Sequence, residues 1–238
     1  MRQRCLMVAF LFLLCCGFPA VAQQRKLQNK PFIDTRVLHY GFFIGVHDQG
    51  LSIENNGYID SATGQQWFAE NDRSNYGIEV GVLAELKLTN HIALRVSPSL
   101  FFGSKHLKFI ENGSGITETQ DMKSTYIALP VGIKLSAPRW NNYRPYVTAG
   151  LSGVYDLTTS NQTLLRANPF EIRLDLGLGC DFYLPFFKLI PELRFSLGLT
   201  DVLDHKRKDM TNSNTDIIYT QSVSKATSNM VSLILYFE

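Results

Sequence analysis

Apolar and polar side chains alternate with a period of two along most of this chain, and the alternation recurs in eight separate stretches. This period is typical of a half-buried β-strand, because successive side chains of a strand point to opposite faces. Helical periodicity is scarce, so the pattern predicts an all-β protein. The eight predicted strands lie near residues 39–47, 76–88, 92–102, 127–136, 147–152, 171–182, 192–200 and 231–237.

The stretch "EIRLDLGLGCDF", residues 171–182, shows the alternation clearly but has a second interpretation. Gly177 and Gly179 are spaced as in the start of a dinucleotide-binding loop. Such a loop needs a strand before the glycines and a helix after them. Here the alternation continues through both glycines. The stretch therefore predicts a strand, and we expect no cofactor.

The connections between the predicted strands alternate between short and long. The short ones lie near residues 89–91, 137–143 and 184–190. The long ones, rich in Asn, Ser, Gly and Asp, lie near residues 48–74, 103–124, 157–168 and 201–220. Outer-membrane barrels have short periplasmic turns and longer extracellular loops. This order of short and long connections predicts an eight-stranded antiparallel transmembrane β-barrel spanning residues 35–238. Strand ends are the least certain feature of such a prediction, so an additional hairpin is left as an alternative.

The first 22 residues have the organisation of a secretory signal peptide. Arg2 and Arg4 precede an apolar run at residues 6–16, and Ala20-Val21-Ala22 is a small-residue cleavage site. The run is shorter than the ~20 apolar residues that a spanning helix needs. Residues 1–22 are therefore predicted to be removed, and residues 23–34 are predicted to form a flexible lead-in.

Removal of the signal peptide changes both the number of cysteines and the net charge of the chain. Only Cys180 of the four cysteines remains, so no internal disulfide can form although the chain is exported. The signal contains two of the 23 basic residues and no acid, which leaves 21 basic and 21 acidic residues. A balanced charge excludes the strongly basic surface typical of nucleic-acid binding, and no nucleic-acid partner is expected.

A soluble β-sandwich would alternate in the same way, with its apolar face buried and its polar face in water. Two features favour a membrane barrel, whose apolar face meets lipid. The polar face is rich in glycine, which weakens a solvated sheet but suits a narrow barrel interior. Aromatic residues also gather at the short-turn ends, as in a membrane girdle. The predicted girdle consists of Trp140, Tyr143, Tyr183, Phe186, Phe187, Tyr236 and Phe237.

The charged residues of the polar face are then predicted to fill the barrel, since eight strands leave room only for side chains. They are Glu79, Glu85, Lys87, Arg95, Lys134, Glu171, Arg173, Asp175, Asp181, Glu192 and Arg194. A turn at residues 89–91 places Glu85 opposite Arg95 on the inner face. Isolated charges in such a place are costly, so we expect them to pair. The set is interpreted as a structural salt-bridge plug; an ion path or proton-handling site is the alternative.

No catalytic or metal-binding constellation is predicted. None of the five histidines has metal-ligand spacing. His39 and His47 share the inner face of the first strand, but eight residues, or ~27 Å, separate them. A site at His205 with Asp204 or Asp209 in a long loop is conceivable, and a barrel enzyme acting on lipid or peptide is the corresponding alternative function. We expect no small-molecule substrate.

Five longer stretches have more specific residues than a generic barrel requires. They are "YIALPVGIKLSAPRWNNYRPYVTAGLSGVYDL" (126–157), "FEIRLDLGLGCDFYLPFFKLIPELRFSLGLTDVL" (170–203), "HYGFFIGV" (39–46), "IALRVSPSLFFG" (92–103) and the terminal "YFE". Their most specific positions are Leu129-Pro130, Arg139, Asn142, Arg144-Pro145-Tyr146, Gly150, Asp156, Glu171, Asp181-Phe182-Tyr183, Phe187-Lys188, Pro191-Glu192 and Phe237-Glu238. With these residues the chain resembles the PorT family of Bacteroidota. The resemblance covers essentially the whole mature chain, although His47 departs from the expected turn residue.

The resemblance implies a non-enzymatic outer-membrane barrel of the type IX secretion system, which exports proteins that carry a C-terminal sorting domain. It implies outer-membrane lipid and other secretion proteins as partners, and no catalytic residues. A filled barrel cannot pass a protein chain, so its expected role is contact or assembly. The alternative is a structural or adhesive barrel, with Trp67 and Phe68 near the end of the first long loop as its contact residues.

Overall fold

The computed structural model describes residues 29–55, 57, 66–71, 75–111, 117–158, 168–202 and 223–238. The predicted signal peptide, residues 23–28 of the lead-in, and His205 with its neighbouring acids lie outside these ranges. The described residues form one short 3₁₀ helix, Ile33–Thr35, and ten strands in a single sheet. The strands are β1 (Leu38–Asn55), β2 (Trp67–Asn71), β3 (Tyr76–Lys87), β4 (Ile92–Val96), β5 (Ser99–Glu111), β6 (Thr117–Ser136), β7 (Tyr143–Asp156), β8 (Phe170–Tyr183), β9 (Lys188–Gly198) and β10 (Val223–Phe237).

The sheet closes on itself as an antiparallel barrel. The first strand pairs with β10 on one side, from Phe42↔Phe237 outward, and with β3 on the other. Each remaining barrel strand pairs with its neighbour in the chain. Closure leaves the barrel body without an open edge, which is what allows a sheet to satisfy its backbone in lipid. The predicted fold class is confirmed.

Eight strands build the barrel wall because β4 and β5 are two parts of one strand. They are interrupted at Ser97 and Pro98, where proline has no N–H for the ladder. The wall stays closed there: Val82 N–H donates to the Pro98 carbonyl, and Ser97 N–H donates to the Pro130 carbonyl, both at 3.1 Å. The remaining strand, β2, lies outside the barrel body and pairs only with the outer part of β5.

Two predicted long loops are partly strand, which corrects the sequence-based boundaries. Within the predicted loop 103–124, β5 and β6 pair as far as Ile110↔Thr117. Within the predicted loop 48–74, β1 continues to Asn55 and β2 forms at 67–71. These extensions have polar residues on both faces, so they lack the alternation by which the other strands were recognised. Both faces of a strand can be polar where it projects beyond lipid into water.

Burial is inverted relative to a soluble protein. Large apolar residues cover the outside: Leu129, Leu151 and Leu178 are each at least half exposed. Charged residues are inside, and Glu79 and Arg173 are 0 % and 2 % exposed. A sandwich would bury the leucines and solvate the charges. The apolar outer band is therefore a lipid-facing surface. None of the described helices is long and apolar enough to cross a membrane.

Candidate functional site

The predicted interior charges lie on the inner face of the barrel because of their parity, that is, their odd or even position along the strand. Residues of the same parity in one strand point to the same face. Ten of the eleven are buried; Lys87 is half-buried at the periplasmic rim. Space for them comes from small residues on the same face. At Gly150, for example, an added Cβ would lie 2.5 Å from the Gly132 Cα, so the two strands could not carry side chains there.

A central cluster surrounds Arg95 of β4. Arg95 Nη1 donates to Glu192 Oε2 at 2.5 Å, and its Nε and Nη2 donate to Glu85 Oε2 at 3.1 and 2.9 Å. Glu192 also accepts from Tyr146 Oη at 2.7 Å and from Arg194 Nη2 at 2.9 Å. The register predicted from the turn at residues 89–91 is confirmed, since Glu85 lies opposite Arg95.

A periplasmic cluster lies below it, at the end of the barrel with the short turns. Lys134 Nζ donates to Asp181 Oδ2 at 2.9 Å and reaches Glu85 at 3.3 Å. Lys188 Nζ bridges Asp181 at 3.4 Å and Glu238 at 2.9 Å. The Nδ1 of His39 makes a 2.5 Å contact with Glu238 Oε1. The cluster is continuous with the central one through the contact between Lys134 and Glu85.

Glu238 follows β10, at the rim of the barrel, and its carboxyl has a perturbed pKa. Burial acts to raise that pKa, because it penalises the charged form. The hydrogen bond with His39 and the positive charge of Lys188 outweigh burial and lower the pKa to about 2. Glu238 is therefore an ionised anchor that joins the chain end to β1 and β9.

An outer cluster fills the opposite half of the barrel. Arg173 Nη2 donates to Glu171 Oε2 at 2.8 Å, and its guanidinium lies 5.0 Å from the centre of the Tyr126 ring. Tyr126 Oη donates to Gln49 Oε1 at 2.9 Å, and its ring stacks on Phe101 at 4.8 Å between centroids.

Two small cavities lie among the three clusters. A cavity beside Asp175, Glu192 and Arg194 has a volume of about 30 Å³. That is room for about two or three water molecules, since each needs roughly 10–15 Å³. Another, of about 20 Å³, lies near the periplasmic rim between His39, Glu85 and Lys188. Cavities of this size hold water but do not form a protein-sized channel.

The periplasmic end is covered by residues 29–37, which we call the N-terminal strap. Asp34 is its main anchor, accepting from Tyr183 Oη at 2.7 Å and from Arg139 Nη1 at 3.1 Å. Lys87 Nζ donates to the Asp34 carbonyl at 2.5 Å. The buried side chain of Ile33 points into the barrel end.

Arg139 holds the strap from the turn between β6 and β7. Its guanidinium stacks on the Tyr183 ring at 3.5 Å from the centroid and donates to the Asn29 and Lys30 carbonyls. The side chain of Asn29 in turn donates to the Tyr183 carbonyl at 2.9 Å. Residues 29–34 belong to the segment that was predicted to be a flexible lead-in, and in the structure they form a hydrogen-bonded cover over the barrel end. These bonds come from distant turns, which local sequence polarity does not reveal.

The predicted aromatic girdle separates into two groups. Trp140, Tyr143, Phe186, Phe187 and Phe237 are at or near the outer surface of the periplasmic end. Tyr183 and Tyr236 are inside, at 1 % and 0 % exposure, and do not belong to a girdle. Tyr183 has the same parity as the buried Asp181, and Tyr236 has the same parity as the buried Ser232, so both side chains point inward. Proximity to a short turn was the wrong criterion for these two.

Several interior residues were not predicted as site residues: Asp34, His39, Tyr126, Tyr146, Lys188 and Glu238. Parity could have found most of them. Lys188 has the same parity as Glu192 in β9. Tyr126 and Tyr146 have the same parity as the inward-pointing residues of their own strands, and His39 was already assigned to the inner face. No sequence signal pointed to Asp34. Within the described ranges, no group of three or more His, Cys, Asp or Glu side chains could hold a metal ion.

The family model for the outer membrane protein beta-barrel domain matches residues 21–204. The chain belongs to this family. The match covers most of the barrel, and β10, which closes it, lies beyond its end. The protein is accordingly an outer-membrane β-barrel, with its apolar outer band in contact with membrane lipid. No match was found among curated proteins.

Solved structures of small outer-membrane proteins are similar at low identity. Neisserial surface protein A is 12 % identical, with a TM-score of 0.43, 84 % of this chain covered and 98 % of that one. Ail of Yersinia pestis, solved with the heparin analogue sucrose octasulfate, is 14 % identical, with a TM-score of 0.35 and coverage of 83 % and 96 %. OprG from Pseudomonas aeruginosa is 11 % identical, with a TM-score of 0.37 and coverage of 84 % and 90 %.

Proposed function

We propose that this barrel is a non-enzymatic outer-membrane component of the type IX protein secretion system. It assists the export or surface attachment of proteins with C-terminal sorting domains by contact or assembly. The assignment to this system rests on the resemblance of the chain to the PorT family. The observation that carries the mode of action is the filled interior.

The filled interior argues against a conduit. At the level of Arg95, the side chains of Glu85, Glu192 and Tyr146 meet across the bore. Opening a path there would separate buried ion pairs, each of which costs several kcal/mol to break. A secreted chain would have to break the periplasmic cluster as well. A barrel of this kind acts through its surfaces, while another protein provides the channel.

The periplasmic end is the surface that we assign to this contact. Many of the positions that carry the PorT resemblance meet there: Arg139, Asn142, Arg144, Asp181, Tyr183, Lys188 and Glu238. Arg139 and Tyr183 hold the strap, and Lys188 and Glu238 hold the chain end. A rigid cover on this side suits a partner in the periplasm, which would meet a constant shape.

Gene deletion tests the proposal. Deleting the gene should abolish surface delivery of a reporter that carries a sorting domain, and wild-type protein supplied in trans should restore it. An Arg139→Gln variant should restore delivery only weakly if the strap is the contact surface. The matched control is Arg36→Gln, an exposed charge of the strap that makes no hydrogen bond from its side chain in the described set. Normal surface delivery of the reporter by the deletion strain would contradict the proposal.

A second candidate is a structural or adhesive barrel, which the long strands favour. A tilted membrane strand needs about 9–11 residues, whereas β1 has 18 and β6 has 20. The surplus of β1, β5, β6 and β10, with β2, projects on the side opposite the periplasmic turns. Such a ribbon suits contact with a surface partner. Loss of cell attachment with unchanged sorting-domain export would favour this candidate over the first.

A further inference from the structure

Glu79 of β3 is a buried carboxyl that the ion-pair clusters leave out. It is 0 % exposed, and neither of its oxygens makes a hydrogen bond of normal geometry. Asp175 is the other buried acid outside the ion pairs of the described interior, but it differs in two ways. It is 8 % exposed, and it lines the 30 Å³ cavity, where water can reach it.

The fold holds Glu79 in this position. Its partner on β1 is Gly45, and a Cβ there would lie 2.7 Å from Glu79 Oε1. The side chain therefore lies across β1 towards β10, where the Ser232 hydroxyl is nearby. On its other side, β5 presents the apolar ring of Phe101, its partner in the ladder. No side chain in these three neighbouring positions supplies a positive charge.

The charged groups that face Glu79 from further strands do not compensate for it. Arg194 and Glu192 of β9 and Asp175 of β8 lie within electrostatic reach, and His47 is on the same inner face of β1. Arg194 is already engaged, since it donates twice to Glu192 and once to Tyr236. The two acids add repulsion to any charge on Glu79.

The buried charges of the described interior also do not balance if every group is ionised. Six acids face five bases, and Glu238 at the rim adds a further acid that shares Lys188 with Asp181. The six acids are Glu79, Glu85, Glu171, Asp175, Asp181 and Glu192, and the bases are Arg95, Lys134, Arg173, Lys188 and Arg194. A proton on one of these acids reduces the excess of negative charge. A buried carboxylate without a partner takes up a proton in preference to keeping its charge.

We propose that Glu79 is a proton-binding site, with its carboxyl protonated in the folded barrel at neutral pH. Loss of this proton in alkaline solution places a negative charge beside Glu192 and Asp175, in a position with no free base. The interior is then strained by repulsion and the folded barrel loses stability. The salt-bridge plug thus contains a pH-sensitive element at one position, while the paired acids around it stay ionised.

Infrared spectroscopy of the folded protein in detergent micelles tests the proposal. At neutral pH, wild type should show the C=O stretching band of a protonated carboxyl, and E79Q should lack it. D175N and E85Q are the matched controls, and both should retain the band. Absence of the band from wild type, or its persistence in E79Q, overturns the proposal. Loss of the band in D175N alone would assign the proton to Asp175 and overturn it as well.

A second measurement does not depend on assigning a band. The denaturant midpoint of wild type should fall as the solution is taken from neutral to alkaline pH, and the fall should be smaller in E79Q. Heat-modifiable migration in SDS gels shows for each variant that the barrel has folded. Glutamine has nearly the shape of the protonated acid, so E79Q is expected to fold. Parallel curves for the two proteins would contradict the proposal.

Discussion

Replacing Arg95 by methionine should destabilise the barrel by removing the shared base of the central cluster. Arg95 pairs with Glu192 at 2.5 Å and with Glu85 at 2.9 Å, and all three side chains are buried. Methionine has a similar length and carries no charge. The variant therefore leaves two acids in place with one base fewer.

The size of the effect depends on which partners each of the two acids retains. Removing one partner of a buried ion pair costs about 3–5 kcal/mol. Glu85 keeps Lys134 at 3.3 Å, and Glu192 keeps Arg194 at 2.9 Å and Tyr146 at 2.7 Å. Neither acid is left alone, so we expect a loss of about 3 kcal/mol, at the lower end of that range.

Equilibrium unfolding in urea or guanidinium, with the protein in lipid vesicles, measures this loss. Tryptophan fluorescence and gel migration should report the same transition. Adding E192Q to R95M removes one of the two acids and should recover part of the stability. Arg36→Met, an exposed change on the strap, should stay within about 0.5 kcal/mol of wild type. If R95M also unfolds within about 0.5 kcal/mol of wild type, the central cluster does not hold the interior together.

Three further predictions address the lipid face, the chain end and the strap. Leu176→Arg, near the middle of β8 on the lipid face, should cost about 2–4 kcal/mol in vesicle unfolding, whereas Leu157→Arg at the outer end of β7 should cost about 0–1 kcal/mol; equal costs would contradict a bilayer around β8. The carboxyl of Glu238 has a pKa lowered to about 2 from its usual 4.5, so its stabilisation is complete above about pH 4.5 and is lost as the pH falls towards 2. The midpoint difference between wild type and E238Q should therefore vanish at acidic pH, and a constant difference would show that its charge is not the cause. Asp34→Ala should expose the strap to protease while the barrel stays intact, which gel analysis of the digested protein checks; unchanged cleavage would mean that Asp34 does not hold the strap.

Period-two alternation was sufficient to predict the barrel because lipid and the packed interior impose opposite chemistry on the two faces of each strand. Where both conditions hold, as along β3 and β4, even the register was predictable, and Glu85 lies opposite Arg95 as expected. Where a strand leaves the lipid, both faces meet water and the alternation disappears. The outer halves of β5 and β6 were therefore predicted as loop.

The interior site was predictable as a set of residues but not as a pattern of partners. Parity placed ten of the eleven predicted charges inside, and applied consistently it would also have placed Tyr183 and Tyr236 there. Partners depend on how strands are offset around the closed barrel, which one sequence does not reveal. Glu192 and Arg95, for example, come from strands that are not neighbours in the sheet. The contacts of Arg139 with the strap are equally long-range.

Single-channel recording in planar bilayers tests most directly the claim that this barrel acts by contact and conducts no substrate. Purified full-length protein should insert and give no large, stable conductance, because the three clusters occupy the bore. R95M, which loosens the central cluster, should raise the frequency of brief openings above that of wild type. A large and stable conductance from the wild-type barrel would contradict the account.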